Sequence, residues 1–240
     1  MTVDWFAGRV AERYDDDYET GSAGAVDPVV DFLEPLAGGG ALEFGIGTGR
    51  IALPLAARGV RVAGIDLSPD MVAQLRAKPG GADMPVVLGD FATTKFAGRF
   101  SLVYLVFNTI MNLTTQDAQV ACFRNAAAHL VSGGAFVVEV GVPDLQRLPP
   151  GETFRPFTVR PDRLGIDEYD VVDQRLVSHH YAIDGDRVET ISMPFRYVWP
   201  AELDLMARLG GLELRERWGG WRRESFTAAS TSHVSVWRMA

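Results

Sequence analysis

Cysteine and lysine are almost missing from this 240-residue chain. The lone Cys122 excludes an internal disulfide, which fits a reducing compartment. It falls in the apolar stripe of an expected helix, where a small core residue is the simplest role. Lysine occurs only at Lys78 and Lys95, so arginine carries nearly all the positive charge. Basic residues number 23 against 31 acidic ones, a net charge of −8. That balance disfavours a nucleic-acid partner, because affinity for a phosphate backbone comes from clustered Lys and Arg. Long apolar runs are absent as well. No stretch approaches the roughly 20 residues needed to cross a membrane, so no membrane partner is expected. Met1 to Tyr14 is interrupted by Asp4, Arg9, Glu12 and Arg13, without the apolar core of a signal peptide, and a cytoplasmic location is expected. Neither an internal repeat nor a low-complexity tract is present.

What the chain does have is glycine in a telling place. Ala41-Leu42-Glu43-Phe44-Gly45-Ile46-Gly47-Thr48-Gly49 reads as a buried strand ending in a glycine-rich turn. A helix from Gly49 to Gly59 and a second strand from Arg61 to Ile65 follow, and the strand ends in Asp66. Alternating glycines strip side chains from the turn, so a ligand can lie against bare backbone and the start of the next helix. An acid about 20 residues on, at the tip of the second strand, can accept hydrogen bonds from both hydroxyls of a ribose. The pattern therefore points to a nucleoside-containing cofactor. A dinucleotide site would need G-x-G-x-x-G, with a third glycine for close helix–strand packing. Arg50 stands at that position, and Glu43 is foreign to that fingerprint, so a nicotinamide-dependent oxidoreductase is a weaker alternative.

E-x-G-x-G-x-G followed by a strand-end acid resembles the first motif of class I S-adenosylmethionine-dependent methyltransferases. Gly64-Ile65-Asp66-Leu67-Ser68-Pro69-Asp70-Met71 resembles the second motif, and Leu88-Gly89-Asp90-Phe91 the third. Phe100 to Asn108 resembles the fourth strand, and His129 to Glu139 the helix end, Gly-Gly turn and fifth strand. The resemblance covers residues 40 to 140 in the family's order. It implies an α/β, Rossmann-like seven-stranded sheet with helices on both faces, using S-adenosylmethionine and releasing S-adenosylhomocysteine. It also implies cofactor contacts from Glu43, Gly45, Gly47, Gly49, Asp66, Leu67, Met71, Asp90, Phe91 and Asn108, with Asp66 on the ribose and Asp90-Phe91 at the adenine. The D/N-P-P-Y/F motif of enzymes that methylate amino groups of nucleic acids is absent. Asn108-Thr109-Ile110-Met111-Asn112 stands in its place, which argues against a nucleic-acid base as acceptor.

Around this core the texture changes. Residues 3 to 36 read as two helices broken at Gly21 to Gly24. A helix over 115 to 131 has Thr115 as its N-cap and Gly133-Gly134 as its stop. From Pro143 to Pro161 five prolines break the chain. A β-hairpin then runs from Asp170 to Ile183 and from Arg187 to Trp199, around an Asp184-Gly185-Asp186 turn. A helix (Ala201 to Leu209) and two strands (Leu212 to Trp218, Ser232 to Met239) close the chain. The expected division is 1–142 for N-terminal helices and cofactor-binding core, 143–199 for an inserted antiparallel lid, and 200–240 for the closing helix and strands. This layout resembles the small-molecule members, including N-methyltransferases of nucleotide-linked amino sugars.

A small-molecule acceptor follows, most simply an amine of natural-product or nucleotide-sugar type. O-methylation and a non-catalytic cofactor-binding protein are the alternatives, and a homodimer is expected. Tyr14 and Tyr18 lie on a helix that closes over the cofactor in similar enzymes, which makes Tyr14 a cofactor contact as well. Tyr14, Asn108, His179 and His180 are the catalytic candidates; Tyr18, Met111, Arg196 and Tyr197 are candidates for the acceptor pocket. His179 and His180 are neighbours on a strand, so only one can face the pocket. His129, in the last turn of a helix, is explained by the helix dipole. Asp15-Asp16-Asp17 reads as a solvated helix end, and no metal site is expected.

Overall fold

A computed structural model of the chain describes residues 3–17 and 23–239. Eleven strands and six α-helices occupy these residues. Helices α1 (Arg9–Asp17) and α2 (Ala23–Leu33) precede β1 (Ala41–Phe44), α3 (Ala52–Ala57), β2 (Val62–Asp66), α4 (Pro69–Ala77) and β3 (Val86–Leu88). Then come β4 (Phe100–Leu105), α5 (Gln116–His129) and β5 (Leu130–Gly141). The four strands β6 (Phe154–Arg160), β7 (Arg163–Asp170), β8 (Arg175–Asp184) and β9 (Arg187–Arg196) follow, and α6 (Pro200–Leu209), β10 (Leu212–Trp218) and β11 (Ser232–Met239) complete the chain.

Seven strands form one sheet in the order β10-β11-β5-β4-β1-β2-β3. The five from β1 to β5 run parallel, while β11 is antiparallel to β5 and to β10. Parallel pairing needs crossovers, and helices supply them, so the middle strands are covered on both faces. β1 and β2 are buried at every residue. One face of the sheet carries a core around Phe44, Phe123, Phe136 and Trp237, and the other a core around Leu33, Leu55, Leu75 and Tyr104. Among the described residues no helix is long and apolar enough to cross a membrane.

The inserted strands make a separate four-stranded antiparallel sheet, β6-β7-β8-β9. It is two hairpins rather than the single one that the turn signals announce. Val171 to Gln174 is the turn between β7 and β8, and β8 starts only at Arg175. The first hairpin is hidden in the sequence because Pro156 and Pro161 interrupt the alternation. Pro156 is tolerated because β6 is an edge strand, and the register shifts between Pro156 and Thr158. A second correction concerns α5. It does not run to a glycine stop; it ends at His129 and the chain enters β5 at Leu130, leaving Gly133-Gly134 inside the strand.

The inserted sheet is fastened to the core by Arg196, the last residue of β9. Its guanidinium donates to Gln119 Oε1 of α5 at 2.6 Å, to Glu202 Oε1 of α6 at 2.7 Å and to Gln174 Oε1 at 3.2 Å. Gln174 in turn donates to Glu202 Oε2 at 2.9 Å. Burial pushes the Glu202 carboxyl up, but the hydrogen bonds from Arg196, Gln174 and Gln116 outweigh it and hold the group below its usual range. Tyr169, Leu176 and Tyr197 add a small apolar cluster, with Met111 and Phe195 packed against it.

Candidate active site

The carboxyl ends of β1, β2 and β4, the N-terminal segment and one face of the antiparallel sheet enclose a cavity of about 540 Å³. That is within the roughly 300–1,000 Å³ of small-molecule sites, and a strand-end crevice is where open α/β sheets bind ligands.

One end of the cavity is the glycine turn. Gly45 and Gly47 have φ of 72° and 55°, the left-handed region that side chains disfavour, and both line the wall. A Cβ on Gly45 would stand 2.7 Å from Thr109 Cγ2, so the turn cannot carry even alanine there without displacement. Asp66 holds the turn in shape: its carboxylate accepts from the Gly47 amide at 2.6 Å and from the Ser68 amide at 2.8 Å. It is nearly buried, and that burial raises its pKa against the pull of those two amides. Ser68 caps α4 by accepting from the Met71 amide. Gly49 has a different task. It lies outside the cavity wall, and a Cβ there would press on Leu53 and Leu75, so the packing of the next helix needs it.

Glu43 lies beneath the turn, 3% exposed, with the Tyr104 hydroxyl donating to it at 2.8 Å. Burial pushes its carboxyl up to about 8, although Tyr104 and Arg50 pull it down. A raised pKa means that the folded protein holds a proton which the unfolded chain releases near the ordinary value of 4.5. Its stabilising contribution is therefore complete below about 4.5 and fades as pH rises towards about 8. The ligand-free Glu43→Gln variant is expected to keep its melting temperature better than the wild-type chain between pH 5 and pH 8, a gap of a few kcal/mol at the upper end. Thermal melts across that range check this; parallel curves would refute it.

Asp90 and Phe91 reach the wall from the loop after β3, where Asp90 accepts from the Ala92 amide at 2.8 Å and Phe91 stacks on Phe44. Leu67 and Met71 line the same side. The opposite rim is the end of β4. Phe107 and Asn108 both have left-handed backbone, φ 57° and 61°, a conformation that costs a non-glycine residue of order 1–3 kcal/mol. Two hydrogen bonds to β5 hold it: Phe107 N–H to Glu139 Oε2 at 2.8 Å, and Gly141 N–H to Asn108 Oδ1 at 2.6 Å. Arg50 lies over the Phe107 ring, 4.8 Å from its centre.

The N-terminal segment forms the roof. Asp4, Trp5, Phe6 and Tyr14 line the cavity, with Phe6 and Tyr14 edge to face at 6.1 Å. The Gly8 amide donates to Asp70 on α4, Asp15 accepts from Thr48 of the glycine turn, and Arg9 pairs with Glu189 of β9. Asp15 also pairs with Lys78, so this acid is engaged with the core rather than only with solvent. Tyr18 lies outside the described residues.

The far end of the cavity belongs to the antiparallel sheet. Pairing of Asp167 with Ser178, and of Gly165 with His180, puts these residues on one face together with Tyr169, Leu176, Met193 and Phe195. All but Gly165 line the cavity, as do Met111 and Tyr197. His179 is on the other face, bonded to Ser192 Oγ at 2.8 Å and Glu168 Oε2 at 3.2 Å, and is outside the cavity. Arg196 is outside as well, 5% exposed in its knot with Glu202. His129 is not a charged helix cap. Its Nε2 accepts from the Phe96 amide, its Nδ1 bonds the Asn125 carbonyl, and burial lowers its pKa. Among the described residues no group of three or more His, Cys, Asp or Glu is placed to hold a metal.

Of the residues that spacing points to, Tyr14, Glu43, Gly45, Gly47, Asp66, Leu67, Met71, Asp90, Phe91, Asn108, Met111, His180 and Tyr197 meet around this one cavity. Asp167 and Tyr169 escape a sequence reading that starts the hairpin at Asp170. Their signal is the alternation Gly165, Asp167, Tyr169, visible once β7 is recognised.

A five-stranded parallel run closed by an antiparallel pair, with a glycine turn after β1 and an acid after β2, defines the class I S-adenosylmethionine-dependent methyltransferase fold. The bare backbone at Gly45 and Gly47 and the nearly buried Asp66 fit that cofactor's nucleoside. Residues 41–134 match the family model described as a methyltransferase domain. The CcbJ methyltransferase from Streptomyces caelestis is 37% identical, with a TM-score of 0.87, over 99% of this chain and 100% of that one. A cypemycin N-terminal methyltransferase from a Streptomyces species is 29% identical over 84% of each chain. CalS10, an amino pentose methyltransferase from Micromonospora echinaspora solved with S-adenosylmethionine bound, is 22% identical and shares the fold, with a TM-score of 0.68 over 93% of this chain and 95% of that one. The chain belongs to the S-adenosylmethionine-dependent methyltransferases.

Proposed function

We propose that the enzyme N-methylates a small natural-product amine. The observation that carries this reading is the charge of the cavity wall. Asp4, Asp66, Asp90 and Asp167 line it beside the protonated Glu43, and Arg50 is its one lysine or arginine among the described residues. Such a wall favours a cationic or neutral guest and opposes phosphate, so a free amine suits it better than a nucleotide-linked one. The cypemycin enzyme, by its name a methyltransferase of an N-terminus, supports an amine.

The bound cofactor supplies a methyl group already activated by its positive sulfur. What is left to the protein is alignment and dryness. Under this reading Asp66 holds the ribose hydroxyls, Asp90 and Phe91 the adenine, and Glu43, the glycine turn and Asn108 the methionyl part. Tyr14 and the N-terminal roof exclude water, while Met111, Tyr169 and Tyr197 hold the body of the acceptor. Orientation of this kind can lower the barrier by roughly 7–11 kcal/mol. An amine attacks once it has lost its extra proton, and an ammonium gives that proton up without a strong base. His180 is the cavity-facing histidine and remains the candidate to take a proton; His179, facing away, is not. The division at 142 and 199 is then functional, with residues 143–199 supplying the acceptor half. The reading includes a cytoplasmic enzyme without a nucleic-acid partner, and a homodimer through the antiparallel sheet, whose Phe154 and Val159 are exposed.

Incubation with S-adenosylmethionine and matched panels of amines and alcohols, read by mass spectrometry, tests this. Amines alone are expected to gain a methyl group, together with S-adenosylhomocysteine. Methylation of the alcohols alone would replace the reading with O-methylation.

A further inference from the structure

Three polar side chains stand in a row on the otherwise apolar and aromatic sheet face. Ser178 stands opposite Asp167 across the β7–β8 ladder, close enough for its hydroxyl to pull the carboxyl's pKa down. Its hydroxyl is also 3.2 Å from His180 Nε2. A hydroxyl has one proton to give. If it goes to the Asp167 carboxylate, the second contact is His180 Nε2–H donating to Ser178 Oγ. The row then runs in one direction, imidazole to hydroxyl to carboxylate, and ends on an anion. The setting keeps it dry. Ser178 is 7% exposed, and Tyr169, Leu176 and Met193 beside it are buried. Phe157 covers His180 edge to face at 5.4 Å. That ring has room because Gly165 lacks a Cβ, which would stand 2.3 Å from it.

We infer that Asp167, held by Ser178 and His180, is the specificity anchor that recognises the acceptor by an ammonium group. The inference rests on the amine reading and names the residue that selects the amine. A carboxylate in an apolar wall is costly unless it meets a positive partner. Burial raises the Asp167 pKa against the pull of Ser178 and His179, so the group gains most from a cationic guest. Arg50, the arginine of the cavity wall, stacks instead on Phe107 at the rim. The guest expected is a basic amine on a compact aromatic or alicyclic body.

The test is binding of isosteres to the enzyme saturated with S-adenosylhomocysteine. Calorimetry compares 2-phenylethylamine with 2-phenylethanol, and cyclohexylmethylamine with cyclohexylmethanol, on wild type, Asp167→Asn and Ser178→Ala. At least one amine is expected to bind wild type about tenfold or more tighter than its alcohol, the scale of one hydrogen bond to a charged group. Asp167→Asn is expected to erase that preference and Ser178→Ala to reduce it, with affinity for S-adenosylhomocysteine unchanged in both. Amine and alcohol binding equally to wild type, or a preference that survives Asp167→Asn, would overturn the inference. Because binding is read apart from turnover, amines that are methylated equally well by Asp167→Asn would sink the anchor and leave N-methylation standing. Amines that bind through Asp167 without being methylated would do the reverse.

Discussion

Replacing Asp66 with alanine is expected to weaken S-adenosylmethionine binding by about a hundredfold or more. The carboxylate has two tasks. It fixes the cofactor turn through the Gly47 and Ser68 amides, at 2.6 and 2.8 Å, and it is placed to accept the ribose hydroxyls. Removing it strands two amides in a nearly buried site and removes the ribose partners. Two ribose hydrogen bonds to a charged group, at about 1.5–3 kcal/mol each, already reach the roughly 2.7 kcal/mol that a hundredfold represents. Calorimetric titration of both proteins checks this. Asp66→Asn is expected to fall between them, because its amide oxygen can still accept from one backbone N–H but carries no charge. Unchanged affinity in the alanine variant would place the nucleoside elsewhere.

The second large effect is structural. Arg196→Met is expected to cost about 3–5 kcal/mol, because it leaves Glu202 charged, 14% exposed in its side chain and without its cation. For a chain of this size that corresponds to a fall in melting temperature of about 6–20 °C. Adding Glu202→Gln to the first change is expected to restore part of the loss, since the stranded charge is then gone. Affinity for S-adenosylhomocysteine is expected to change little, because neither residue touches the cavity. A variant as stable as wild type would mean that the knot does not fasten the inserted sheet.

The two effects mark how far the sequence is legible. The cofactor half is written in local patterns. Gly45, Gly47 and Asp66 belong to one strand–turn–helix–strand unit, and their spacing carries the chemistry directly. The seven-stranded sheet is legible for the same reason, as strand and helix periods alternate from Ala41 to about residue 140. The acceptor half depends on register between strands far apart in the chain. Which of two adjacent histidines faces inward is decided by the pairing of His180 with Gly165 and of His179 with Ile166, and no local signal sets that. Arg196 illustrates the same limit. Its place near the end of a strand suggested the pocket, yet its partners Gln119 and Glu202 lie 77 and 6 residues away, on two helices. Asp167 escapes a sequence reading because Pro156 and Pro161 obscure the first hairpin, to which β7 belongs.

The most direct test of the account is a crystal structure with S-adenosylhomocysteine bound. The ribose is expected on Asp66, the adenine between Asp90 and Phe91, and the sulfur turned towards the chamber lined by Asp167, Tyr169 and His180. A nucleoside seated in that chamber, or one making no contact with Asp66, would contradict it.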